Sequence, residues 1–214
     1  GALIANGCLR GRTIEFSSAD EFTINKVAKK LNSDLVDYAN SNYTWRFGDG
    51  NGIVKTKDIV PESLMVTSKY KHIPREYLES SKEQRLELLK GLMDNDGTIG
   101  LAPRYNCSYS TISPQLRDDV LELVRSLGYK ATVSIDDRVG EKHHKNISYE
   151  IYILIPNGEK HNLFSLPRKL ERVREAELLK EKSINTAIYD RGQFVYKGRV
   201  KALAESLREA GIKI

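Results

Sequence analysis

Apolar residues recur along this chain in two kinds of period, and each kind comes twice. Ile24, Val27, Ala28 and Leu31 follow the i, i+3, i+4, i+7 spacing of one helical face, and Val120, Leu123, Val124 and Leu127 repeat it. Elsewhere the period is two. In "NYTWRFG" Tyr43, Trp45 and Phe47 oppose Thr44 and Arg46, and in "NISYEIYILI" Ile147, Tyr149, Ile151 and Ile153 oppose Ser148, Glu150 and Tyr152. The pattern predicts strands at 13–17, 35–39 and 43–47 around a helix over 19–31. It predicts further strands at 104–111, 130–137 and 147–155 around a helix that Ser113 opens, with Pro114 at the first helical position. Gly128 in "RSLGYKA" sits where a helix-closing glycine belongs.

Shifted by 90 residues, the chain falls on itself: Gly1 on Gly91, and "ANG" (5–7) on "NDG" (95–97). With a short hairpin insertion the two helical faces also coincide. Each copy then reads motif helix, two strands, amphipathic helix, two strands, closing helix. This is an α+β fold of two αββαββα halves, 1–80 and 81–173, with a C-terminal extension, 174–214, carrying an amphipathic helix. One face of each sheet packs on helices. The polar face either meets solvent or forms part of a shared binding surface.

One stretch asks for more than packing. "LLKGLMDNDGTIG" (88–100) ends an apolar helical run with Asp94 and Asp96 just before Gly97. The C-terminal end of a helix already carries partial negative charge, so two carboxylates there call for a cation.

Composition narrows the classes. The 214 residues are 40% hydrophobic and 29% charged, with no apolar run long enough to span a membrane and no signal-peptide pattern. The expected setting is intracellular, cytoplasmic or nucleoid-associated. Cys8 and Cys107 lack a metal-type spacing and are expected to be reduced core thiols. A net charge of +5 permits a polyanionic partner. His72, His143, His144 and His161 fall in a connector, a hairpin tip and near the closing helix, which points away from histidine-based catalysis. No serine, histidine and aspartate triad or phosphate-cradling glycine loop is recognisable, and "GDGNG" (48–52) reads as a turn.

"KHIPREYLESSKEQRLELLKGLMDNDG" (71–97) resembles the second signature block of the LAGLIDADG homing endonucleases, the intein-embedded kind in particular. "GALIANG" resembles the first signature, and "LFSLPRKLERV" (163–173) the block that closes such a domain. The resemblance implies a monomer whose pseudo-symmetric halves pack their signature helices at the centre and form a saddle over a DNA duplex of about 20 base pairs, strands in the major groove. It implies that Asp96 and its counterpart Asn6 hold Mg²⁺ near the scissile phosphates. It also implies that Lys71 lies near the reacting groups. Thr44, Arg46, Ser148 and Tyr152 are then candidate DNA contacts, as are Arg168 and Lys169 at the backbone. Asp94 points away from Asp96 on a helix and is expected to be structural.

The sequence departs from the family at Asn6, where the signature has an acid. An amide offers a carbonyl oxygen but no charge, so cleavage is expected to be slow, incomplete or absent. The alternative is a nucleic-acid binder that does not cleave, such as a maturase-like splicing factor on RNA. A non-binding domain on the same scaffold is the third possibility. "GALIANG" lacks a helix cap, which suggests a piece of a longer parent, and the glycine at one end and "GIKI" at the other exclude splicing by this piece. Arg191, Lys197, Arg199 and Lys201 form a basic run in the extension, either a solvated face or an added DNA contact.

Overall fold

The computed structural model describes residues 1–37, 43–48, 52–101, 105–140, 145–156, 158–181 and 197–209. The first half contains α1 (Ala2–Asn6), β1 (Gly7–Cys8), β2 (Glu15–Ser17), α2 (Glu21–Lys30), β3 (Asp34–Asp37) and β4 (Thr44–Gly48). Short helices α3 (Thr56–Ile59) and α4 (Arg75–Leu78) lead to the second half. There α5 (Lys82–Asn95), β5 (Gly97–Ile99), β6 (Cys107–Thr111), α6 (Pro114–Ser126), β7 (Lys130–Asp136) and β8 (Ser148–Leu154) repeat the order, and α7 (Pro167–Glu181) follows. Helix α8 (Gly198–Glu209) lies in the C-terminal extension.

The two antiparallel sheets have matching orders, β1-β2-β4-β3 and β5-β6-β8-β7. The repeat predicted from the sequence is thus a repeat of topology. Strands β1 and β5 had no predicted location, because two or three residues are too few to show alternation. Both begin at a glycine directly after a motif helix, and their registers correspond: Gly7 pairs with Phe16, and Gly97 with Tyr109.

Packing follows the predicted faces. Phe16, Phe47, Ile151 and Tyr109 are fully buried, and Tyr149 and Ile153 nearly so. Tyr43 and Ile147 differ from expectation, being 59% and 41% exposed. Each precedes the first residue of its strand. Cys107 is buried as expected, but Cys8 is exposed, since it lies on the polar side of a two-residue edge strand. His143, His144 and the ends of two predicted strands lie outside the described residues.

Helix α5 opens with a capping box, in which Ser81 Oγ accepts from Gln84 N and Gln84 Oε1 accepts from Ser81 N. It then runs against α1 with almost no side chain between them. A Cβ on Gly91 would lie 2.8 Å from Ala2 N and 3.0 Å from Gly1 Cα; one on Gly1 would lie 2.2 Å from Leu88 O. These glycines let the two backbones touch and bring the helix ends together. Helix α7 passes residue 173 without a break, with Val173 and Ala176 buried in the same core, so the expected boundary at 173 falls inside one helix. Among the described residues no helix is long and apolar enough to cross a membrane.

Candidate functional site

Helices α1 and α5 end side by side. Asn6 Nδ2 donates to Asn95 Oδ1 at 3.3 Å, and Asn95 Nδ2 donates to Gly91 O at 2.7 Å. Asn6 therefore lies beside the residue that precedes Asp96, which caps α5 with its backbone N–H on Leu92 O. The two signature positions share one neighbourhood.

Side chains supply the cation that the sequence demanded. Lys169 is 4% exposed, and its Nζ donates to Met93 O, Asp94 O and Gly97 O at 2.6, 2.8 and 2.6 Å. Lys71 Nζ donates to Ala5 O at 2.5 Å. Each motif helix thus ends on a lysine that satisfies terminal carbonyls and complements the dipole. This corrects the expectation that Lys169 contacts a DNA backbone. All three of its donors are directed inward, and burial pushes its ammonium down to about 8. Replacing Lys169 by Met should leave three carbonyls without that donor and lower stability by at least about 2 kcal/mol in urea unfolding. Arg168→Met should stay within about 1 kcal/mol, because Arg168 is exposed and among the described residues pairs with Asp20 at 3.1 Å.

Asp94 is structural, as expected. It is 6% exposed and accepts from Ser165 N at 2.8 Å, Leu166 N at 3.0 Å and the Ser165 hydroxyl, with Lys26 Nζ 3.9 Å away. The turn before α7 is thereby fastened to α5 and to α2, which delivers Lys169 to the helix end.

Lys71 is aimed by residues that the sequence reading did not single out for the site. Ser113 Oγ caps α6 by accepting from Leu116 N and donates to Lys71 O at 2.6 Å. Buried Asp119 accepts from Ile73 N at 2.7 Å. The connector is held across the start of α6, and Lys71, Asp96, Tyr109, Ala5 and Ser68 line a cavity of about 280 Å³. Burial raises the Asp96 carboxyl above its ordinary value, while Lys71 and Lys169 oppose the shift. Burial lowers Lys71, with Asp96 opposing. Among the described residues no three His, Cys, Asp or Glu side chains cluster as metal ligands.

The remaining predicted contacts sit on the polar sheet faces. Thr44 Oγ1 meets Ser17 Oγ at 3.3 Å, Arg46 pairs with Glu15 at 2.6 Å, and the Tyr152 hydroxyl donates to Glu150 Oε2 at 2.7 Å. Ser148 borders the central cavity. Sequence reading missed a second concavity of about 650 Å³, lined by Arg10, Arg12, Lys55 and Lys57, with no carboxylate among the described residues of its wall. The pairs "RGR" and "KTK", basic residues two apart in predicted loops, were the available signal.

Comparison with known proteins divides the chain. Residues 72–161 match the homing endonuclease family model, and residues 168–214 match that of ribosomal L18 of archaea, bacteria, mitochondria and chloroplasts. A stretch of 99 residues is 39% identical to the replicative DNA helicase DnaB of Mycobacterium intracellulare, covering 46% of this chain but only 16% of the helicase. A stretch of 98 residues is 38% identical to large ribosomal subunit protein uL18 of Agathobacter rectalis, covering 43% of this chain and 74% of that protein. A solved structure of I-DmoI in complex with DNA and Ca is similar over 84% of this chain and 93% of that chain, at 14% identity and a TM-score of 0.46. The L18 match went unread in the sequence, where 174–214 was read as an amphipathic helix with a basic run, Arg191, Lys197, Arg199 and Lys201. Residues 182–214 hold seven Lys/Arg against three Asp/Glu, so four of the five net positive charges lie there. Through its likeness to uL18 this chain belongs to the ribosomal L18 family, and its residues 72–161 are similar to the homing endonuclease family.

Proposed function

We propose that the two halves form a LAGLIDADG-type nuclease that binds a specific DNA duplex as a monomer and hydrolyses phosphodiesters with a divalent cation, cleavage being impaired at Asn6. The observation that carries this reading is the cavity at the joined ends of α1 and α5, where Asp96 and Lys71 face one space. A carboxylate with a neighbouring amide suits Mg²⁺, which keeps several waters and binds through one or two carboxylates plus substrate phosphate. When bound, the cation supplies charge neutralisation at the phosphoryl oxygens and an acidified water.

The chain's own groups do the rest. Asp96 holds negative charge at the cavity, Lys71 offers a cation to a phosphoryl oxygen, and Asn6 contributes an uncharged carbonyl. The polar sheet faces, with Thr44, Arg46, Ser148 and Tyr152, read base edges over about 20 base pairs. Arg10, Arg12, Lys55 and Lys57 hold the phosphate backbone at the flank of the first half. Similarity to a short segment of a helicase polypeptide supports the embedded kind of nuclease, carried within host proteins. The relatives of residues 168–214 are named as ribosomal proteins, and the basic excess there supports an RNA-facing role for that stretch, separate from the nuclease.

The test is nicking of supercoiled plasmids that carry candidate sites, with Mg²⁺ or with chelator. Slow conversion to open circles that chelation abolishes is expected. Rapid linearisation by the unaltered chain would overturn the impairment, and binding to duplex that ignores added salt would overturn the phosphate contacts.

A further inference from the structure

Tyr109 has no place in the chemistry so far. It is fully buried in β6, borders the cavity of Asp96 and Lys71, and its hydroxyl is without a hydrogen-bond partner among the described residues. A buried hydroxyl left unsatisfied is unfavourable and calls for an explanation, such as a water or ion that the protein binds. Sheet register sharpens the point. Gly97 pairs with Tyr109 as Gly7 pairs with Phe16, so Tyr109 and Phe16 occupy equivalent places, both fully buried. They differ by the hydroxyl alone. Asp96 and Asn6 immediately precede those glycines, so the half that keeps the acid also keeps the hydroxyl, and the half with the amide has a phenyl ring.

We propose that the Tyr109 hydroxyl donates a hydrogen bond to the oxygen ligand that Asp96 brings into this cavity, a water on the divalent cation or a phosphate oxygen. The proposal rests on the nuclease reading and adds a positioning residue to it. Burial raises the phenol far above its ordinary value, with the Asp96 charge contributing, so the group remains a donor throughout the neutral range. The Asp96 half is then the equipped one.

Tyr109→Phe tests this by stability and binding as well as by activity. In chelator the variant should melt about 2–4 °C above wild type, because it loses an unsatisfied hydroxyl rather than a bond. Its affinity for Mn²⁺, measured by calorimetry without DNA, should fall about fivefold if the acceptor is a metal-bound water. Loss of DNA affinity in chelator, with Mn²⁺ binding intact, would identify the phosphate oxygen instead. A variant that melts at or below wild type, or that binds both Mn²⁺ and DNA as wild type does, overturns the proposal. Failure of the nuclease reading looks different: wild type itself then binds neither Mn²⁺ nor DNA, and the proposal falls with it.

Discussion

Asn6→Asp should raise cleavage about 10²–10³-fold and turn nicking into double-strand cutting, a gain of roughly 3–4 kcal/mol in transition-state stabilisation. Asn6 lies against Asn95, next to Asp96, so a carboxylate there would give the cation a second charged ligand at the meeting point of the helices. The same change should weaken the metal-free protein. Burial already raises the Asp96 carboxyl, so the folded state keeps that proton to higher pH than the unfolded chain. Stability without metal therefore falls as pH rises through the window above the ordinary aspartate value of 3.8. A second nearby carboxylate deepens that loss, and Mg²⁺ should restore it by binding only the folded state. Melting of Asn6→Asp with chelator and with Mg²⁺, alongside plasmid cleavage, checks both parts. A variant that cuts no faster and melts like wild type in chelator would show that residue 6 does not face the cation.

Gly91→Ala should cost more than about 3 kcal/mol, a large share of the 5–15 kcal/mol that holds a typical domain together. The added methyl meets Ala2 N at 2.8 Å and Gly1 Cα at 3.0 Å, and backbone cannot step aside as a flexible side chain can. Either α1 moves off α5, which separates Asn6 from Asp96, or the interface does not form. Urea unfolding followed by circular dichroism reads the loss. Gly128→Ala provides the contrast. Gly128 has φ +91 and open space around it, so its cost is backbone strain of about 1 kcal/mol and the helix ends stay together. Equal effects at the two positions would remove the case for a contact between backbones.

Much of the architecture was legible because burial writes a period into a sequence. The helices α2 and α6, the strands β4 and β8, and the offset of 90 residues between halves all follow from where apolar side chains recur. Asp94 was also readable, since its helical angle separates it from Asp96. Lys169 was not: an isolated lysine after "SLPR" reads as a surface cation, and only the fold shows three carbonyls converging on its ammonium. Tyr109 looked like any core aromatic, because an unpartnered hydroxyl leaves no periodic mark. The L18 stretch was missed for another reason. Its helix has the ordinary amphipathic pattern, and its identity lies in specific residues rather than in spacing.

By itself, then, the sequence determined two α+β repeats, a motif helix in each, an acid at the end of one and an amide at the end of the other. Local periodicity suffices for this, because it reflects which side chains leave water. Tertiary structure alone decided that Gly1 and Gly91 touch, that Lys71 and Lys169 each finish one motif helix, and that Tyr109 shares a cavity with Asp96. Those contacts join residues far apart along the chain, and the free energy of satisfying a helix end or filling a cavity depends on atoms that the local sequence does not contain.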